Sequence, residues 1–220
     1  MSAAKPILVL GAGGHASVLV AALQLQHVKI LGIAERVGQA HWGDVLGTPV
    51  ICDDESILRY PPDSVELVNG LGSAASTRHR QELFERFKAR GYSFATVVHP
   101  SAVVACDVLL GEGVQIMAGA IVQPGTVVGA NSIVNTRASI DHDCKVGSQV
   151  HIGPGAIVAG DVRIGDGTFV GAGAVVIPGI SIGCGCLVAA GAVVIRDVVA
   201  ETRVAGLPAR AMQERAREKP

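Results

Sequence analysis

The residues best suited to chemistry fall in two stretches. His142 is followed at once by Asp143, and His151 lies nine residues further on. An imidazole with a near-neutral pKa can take a proton from an attacking nucleophile, and an adjacent carboxylate can orient the ring and stabilise its protonated form. A second imidazole, or a backbone N–H, can donate to the oxyanion that develops when a thioester carbonyl is attacked. Together these groups suit direct acyl transfer. The second stretch, Gly11-Ala-Gly13-Gly14-His15-Ala16, follows an apolar run and opens a helical one. It fits G-x-G-x-x-G/A, a tight turn that aims backbone N–H groups at a phosphate, and Glu35 stands where a ribose-binding acid would. Gly70-Leu-Gly72-Ser73 follows another apolar run and can complete the same pocket. The fingerprint also admits a nicotinamide dinucleotide, or a purely structural turn.

The elements around the glycine loop alternate in type. Ile7–Leu10, Ile30–Ile33 and Val65–Val68 read as buried parallel strands. Ala16–Gln26 reads as a helix. Thr77–Arg90 is a clearer one, because Leu83, Phe84 and Phe87 form a stripe among charges and Gly91 ends it. Phe94–Val98 reads as a last strand. Residues 1–98 therefore predict a small doubly wound parallel α/β domain.

From Ala102 the period changes to six. Residues 102–197 divide into sixteen blocks without insertion, from AVVACD through ASIDHD and VHIGPG to AVVIRD. The third position is Val, Ile or Leu in all sixteen, and the sixth is Gly in nine and Asp or Asn in five more. First and third positions should point inward. The sixth falls at a corner, where Gly, Asn and Asp tolerate a left-handed backbone. Three blocks close an eighteen-residue coil, and coils stack at strand spacing, so residues 99–197 form a parallel β-helix of roughly five coils. Residues 198–220 are the exit segment.

This register places the candidate residues. His142 occupies a fifth position, at a corner, stacked between Pro124 and Gly160. The two exceptions at sixth positions, Arg137 and Gln149, lie in the blocks on either side. Rule-breaking that clusters around one corner marks function, whereas a lone corner histidine would be merely solvated. Asp143 is also an ordinary corner residue, so its sequence position alone does not separate the two roles. His151 sits at a second position, on an outward flat face opposite that corner, roughly 15 Å away by strand dimensions. The two histidines can share a site only across a subunit boundary. Cys144 and Cys186 fall at inward positions and Cys106 and Cys184 at corners, so none reads as a nucleophile. No C-x₂-C pair suggests zinc.

The blocks resemble the hexapeptide-repeat acyltransferases, whose coils wind left-handed, and Val204–Arg210 resembles their exit segment. Asn135, Ile140-Asp141-His142-Asp143 and His151-Ile-Gly are similar to the bacterial nucleotide-sugar N-acetyltransferases acting on 4-amino-4,6-dideoxy sugars, related to sialic-acid O-acetyltransferases. The resemblance implies homotrimers with intersubunit active sites, His142 as general base assisted by Asp143, and His151 near the acetyl carbonyl. It implies acetyl-CoA held by main-chain groups at Gly160, Ala172 and Ala190, and a nucleotide-sugar diphosphate cradled by Gly13, Gly14 and His15; Glu35, Gly72 and Asn135 complete the expected substrate site, and no metal is expected. GDP-perosamine is favoured over a UDP-linked 4-amino sugar on resemblance alone. Two departures stand out: Asp143 where the family often has Glu, and Ala189-Ala190 in place of a more glycine-rich stretch.

The bulk numbers agree. Among 220 residues, 49% are hydrophobic and only 3% aromatic, with 28 glycines, as a regular β solenoid needs. A net charge of −1 gives no case for nucleic acid or an anionic membrane. Five cysteines, an odd number, and no apolar run long enough for a membrane span or signal core suggest a cytoplasmic protein. Three rivals to N-acetylation stand: sugar O-acetylation, a non-catalytic solenoid scaffold and a nucleotide-sensing module.

Overall fold

The structure, a computed structural model, describes residues 5–35, 43–52, 54–74 and 76–212. Residues 213–220 of the exit segment lie outside them.

The N-terminal half is a five-stranded sheet flanked by one α-helix on each face. Strands β1 (Ile7–Leu10), β2 (Ile30–Ala34), β3 (Asp44–Val45), β4 (Thr48–Cys52) and β5 (Glu66–Asn69) take the order β3-β4-β2-β1-β5. All pairings are parallel except the β3–β4 hairpin. The alternation within β1 builds two cores. Ile7 and Val9 pack with Leu19, Val20 and Leu23 of helix α1 (Gly14–Leu25), while Leu8 and Leu10 pack with Leu83, Phe84 and Phe87 of helix α2 (Arg78–Lys88). Both helices fall within two residues of expectation at each end. The β3–β4 hairpin and the 3₁₀ turn Asp54–Arg59 carried no period in the sequence.

The C-terminal half is a parallel β-helix. Every coil strand is two residues long and pairs with the residue eighteen positions away, for example His151 with Ile133 and Phe169. Three faces result. Face I runs from Val97–Val98 through Gln115, Ile133, His151, Phe169 and Leu187 to the exit strands; face II carries Val103, Ile121, Ser139, Ile157, Val175 and Val193; face III carries Leu109, Val127, Lys145, Arg163 and Ser181. First and third positions fill one continuous interior, including Val122, Ile140, Cys144, Val158, Val176 and Cys186. From Gly113 to Gly191 every sixth position has positive φ, glycine or not.

Two expectations need correction. Phe94–Val98 is not one strand: Phe94 bridges Leu67 of the α/β sheet, whereas Val97–Val98 pairs with Gln115–Ile116 as the first rung of face I. Thr96–Ser101 is an unrecognised seventeenth block, because its two valines also fit a continuous apolar run. Arg137 and Gln149 do not share the corner of His142. They occupy the other two corners of the same coil, residues 132–149, so the irregularity marks a coil and not an edge. Arg137, Asp143 and Gln149 hold φ of 55°, 60° and 61°.

Candidate active site

His142 sits at the edge where face II turns into face III. Asp141 Oδ1 accepts its backbone N–H at 2.8 Å, and Asp143 Oδ2 lies 2.8 Å from its Nδ1. A carboxylate only accepts, so Nδ1 carries the proton of the neutral ring and Nε2 keeps a free lone pair. The hydrogen bond to Asp143 raises the imidazole pKa; desolvation opposes it, and the charges of Asp141, Asp143 and Asp161 add to the rise. The ring rests on Gly160: a Cβ there would stand 2.7 Å from both Cε1 and Nε2. Asp143 likewise rests on Gly125, where a Cβ would stand 2.5 Å from Oδ1. The pair is thus seated between two glycines of the neighbouring coils, and both side chains stay exposed.

His151 is in a different environment. Its position points outward, as expected, but the face is covered: only 4% of the residue is exposed. The α1-side core of the α/β half continues into Val97, Met117 and Ile133 of face I and roofs this region. Phe169 lies against the ring, centroids 4.9 Å apart. Thr136 N–H donates to Asn135 Oδ1 at 2.7 Å, which turns the amide NH₂ toward His151 Nε2 at 3.3 Å. Nε2 then accepts, and Nδ1 carries the hydrogen without a protein partner. Burial, with the nearby His15 and Arg80, pushes this imidazole down to about 3.

The glycine loop lies beside the same face. Gly13 caps α1 with extended backbone and no capping side chain, and no acid occupies the first turn, so the helix N-terminal N–H groups are open to an anion. A Cβ on Gly13 or Gly14 would meet nothing within 4 Å. The fold does not need those glycines, and the space they leave, about 330 Å³ between Ala12–Ser17 and Asp44–Leu46, suits an approaching ligand. Glu35 Oε2 accepts from Ala12 N–H at 2.5 Å and so closes the loop. His15 Nε2 donates to Gln115 Oε1 at 2.7 Å, and Gln115 Nε2 donates to Asn69 O. Burial, then Arg80, lowers His15 to about 4. Gly72 packs against His15: a Cβ would be 3.2 Å from the His15 Cβ.

The named residues therefore form three groups in one chain. His142, Asp143 and Gly160 share the II–III edge. Gly13, Gly14, His15, Glu35, Gly72, Asn135 and His151 gather on or over face I, opposite that edge. Ala172 and Ala190 stack at the exposed I–II corner, joined by Gly191 N–H to Ala172 O at 2.9 Å. The sequence reading missed the buried polar links Gln115, Asn69, Arg80 and Asn131. A signal existed for Arg80, which sits on the α2 stripe three residues before Leu83. Among the described residues no cluster could hold a metal ion, and no helix is long and apolar enough to cross a membrane.

Corner glycines, three-block coils and a His–Asp pair at an edge define a hexapeptide-repeat transferase. The bacterial transferase hexapeptide model (six repeats) matches residues 143–178, and the hexapeptide repeat of succinyl-transferase matches 161–196. A histidine-to-asparagine mutant of perosamine N-acetyltransferase from Caulobacter crescentus, in complex with CoA and GDP-perosamine, superposes with a TM-score of 0.88 at 35% identity, over 96% of this chain and 99% of that one. The acetyltransferase domain of PglB from Neisseria gonorrhoeae, in complex with acetyl coenzyme A, gives 0.87 at 32%, over 94% and 99%. WeeI from Acinetobacter baumannii gives 0.77 at 25%, over 95% and 100%. The chain belongs to the hexapeptide-repeat nucleotide-sugar N-acetyltransferases.

Proposed function

We propose that the protein moves acetyl from acetyl-CoA to the 4-amine of a nucleotide-linked 4-amino-4,6-dideoxy sugar, with GDP-perosamine the favoured substrate. The carrying observation is the His142–Asp143 pair seated over Gly160 with Nε2 free. A sugar amine is mostly protonated at neutral pH. Nε2 removes a proton as the neutral amine attacks the thioester carbonyl, and Asp143 holds the imidazolium that forms. A backbone N–H stabilises the oxyanion, since His151 Nδ1 is enclosed beneath the α/β half. The tetrahedral intermediate then expels the CoA thiolate, which takes the proton back from His142. Holding both substrates in place supplies much of the remaining rate.

Residues 1–98 hold the nucleotide-sugar and 99–197 the acetyl-CoA, between Gly160 on the II–III edge of one copy and Ala172 and Ala190 on the I–II corner of another. Because His142 lies opposite face I, the glycine loop of one copy meets the His142 edge of another in a homotrimer. The exposed row Val103, Ile121 and Ile157 on face II offers an apolar surface for that contact. Free cysteines suit the cytoplasm. The test is thiol release from acetyl-CoA with GDP-perosamine and a panel of UDP-linked 4-amino sugars, beside hydroxyl-bearing counterparts. Release confined to the amines is expected. Release with the hydroxyl sugars alone would mean O-acetylation, and none with any acceptor would leave a scaffold.

A further inference from the structure

Arg80 occupies the first turn of α2 and is 2% exposed. Its Nε donates to Asn131 O at 3.2 Å, and Nη1 donates to Asn69 O at 2.7 Å and Leu71 O at 2.8 Å. Nη2 is enclosed without a partner among the described residues. No carboxylate pairs with this guanidinium among the described residues. Burial lowers it only to about 9, so it is a cation at neutral pH. An apolar side chain would continue the Leu83, Phe84 and Phe87 stripe without the desolvation cost of an unmatched charge.

What Arg80 grips points to its use. Asn131 belongs to the solenoid, Asn69 ends β5, and Leu71 begins the loop facing the glycine turn. A Cβ on Gly11 would touch Leu71 at 3.0 Å, and Gly72 packs against His15. Arg80 thus ties the Leu71–Gly72 segment, which walls the glycine loop on its Gly11 and His15 side, to the solenoid.

We propose that Arg80 is a positioning residue for the diphosphate of the nucleotide-sugar: it ties the Leu71–Gly72 wall to the solenoid, and its unmatched positive charge is complemented by the ligand. This rests on the reading of Gly13–His15 as a diphosphate loop. The lowered titration of His15 and His151, to which Arg80 contributes, is consistent with a positive field reaching this pocket.

The experiment is calorimetric titration of the full chain with GDP and UDP, with acetyl-CoA as control ligand. Three variants are compared: Arg80→Lys, Arg80→Gln and Asn131→Asp. Asn131→Asp keeps Arg80 and its main-chain acceptor, suits the left-handed corner at φ 54°, and puts a carboxylate on the residue that Arg80 Nε grips, with the Gln149 amide turned over to donate to it. It should weaken nucleotide binding roughly tenfold, because the pocket's positive field is partly cancelled. Arg80→Gln should weaken it further, and Arg80→Lys should hold it within about threefold, since charge is retained. Acetyl-CoA affinity should not move. If Arg80→Gln does not fold, Asn131→Asp decides. Wild-type affinity in Asn131→Asp would overturn the proposal alone, whereas a wild-type chain that binds neither GDP nor UDP would overturn the loop reading beneath it.

Discussion

His142 and His151 stand nine residues apart in one solenoid, and their surroundings set their imidazoles in opposite directions. His142 lies on an open edge with Asp143 hydrogen-bonded to Nδ1, and its pKa rises. His151 lies on a face roofed by the α/β half, without a carboxylate among the groups that shift it, and is pushed down to about 3. The six-residue period placed both side chains outward and did so correctly. What differs is what lies over them. A solenoid supplies position; neighbouring carboxylates or a covering domain decide whether the group at that position gains or loses a proton.

The strongest test of the contrast removes the exposed ring. His142→Ala should lower turnover roughly 10²- to 10⁴-fold, the range of a lost general base, while acetyl-CoA affinity barely changes. Steady-state kinetics beside acetyl-CoA titration read the two quantities, and near-normal turnover would end the assignment. The buried ring should appear instead in stability. An unfolded His151 takes up a proton near 6.5, but the folded one stays neutral down to about 3. The unfolded chain thus binds more protons across that window, and stability is lost as pH falls below 6.5. The slope is at most about 1.4 kcal/mol per pH unit for each such imidazole, and His15 adds a second. Urea unfolding between pH 7.5 and 4.5 should show a shallower decline for His151→Asn than for wild type. Equal declines would mean that His151 is not held neutral.

The same contrast shows what could be read from the chain alone. The solenoid, its inward and corner positions and the location of His142 follow from side-chain size and backbone tolerance at fixed spacing, which are local properties. That is why Gly113 to Gly191 fell into register. The cover over His151 is not local: it depends on Val97, Met117 and Ile133 sharing a core with α1, contacts between residues about eighty to more than a hundred positions apart. Gln149 breaks the corner rule for a similar reason, as its side chain accepts from Asn131 at 2.5 Å beneath the α/β half. Val97–Val98 was misplaced because a two-residue rung and the end of an ordinary strand carry the same apolar signature.

A smaller effect than either histidine substitution is expected at the glycine beneath His142. Gly160→Ala would place a Cβ 2.7 Å from Cε1 and Nε2, so the ring must shift by a fraction of an ångström or more. Misplacement on that scale should cost roughly ten- to a hundredfold in turnover. The melting temperature should stay near wild type, because the displaced ring is exposed. Unchanged turnover would show that the seat over Gly160 does not set the reacting geometry.

The mildest substitution separates charge from backbone. Asp143 has φ of 60°, a conformation asparagine tolerates nearly as well, so Asp143→Asn leaves the corner intact and removes only the charge. The hydrogen bond that His142 Nδ1–H donates to Asp143 is the largest cause of the raised His142 pKa. The base works only when neutral, so the acid limb of kcat/KM marks that pKa in the free enzyme. Without the charge the pKa falls, and the limb should move to lower pH. Turnover on the alkaline plateau should fall less than about tenfold, because the amide oxygen can still accept from Nδ1–H and hold the tautomer. A limb that stays in place would make Asp143 a corner residue like Asp161, chosen for its backbone and not for its carboxylate. Movement toward higher pH would instead mean that the limb reports a group other than His142.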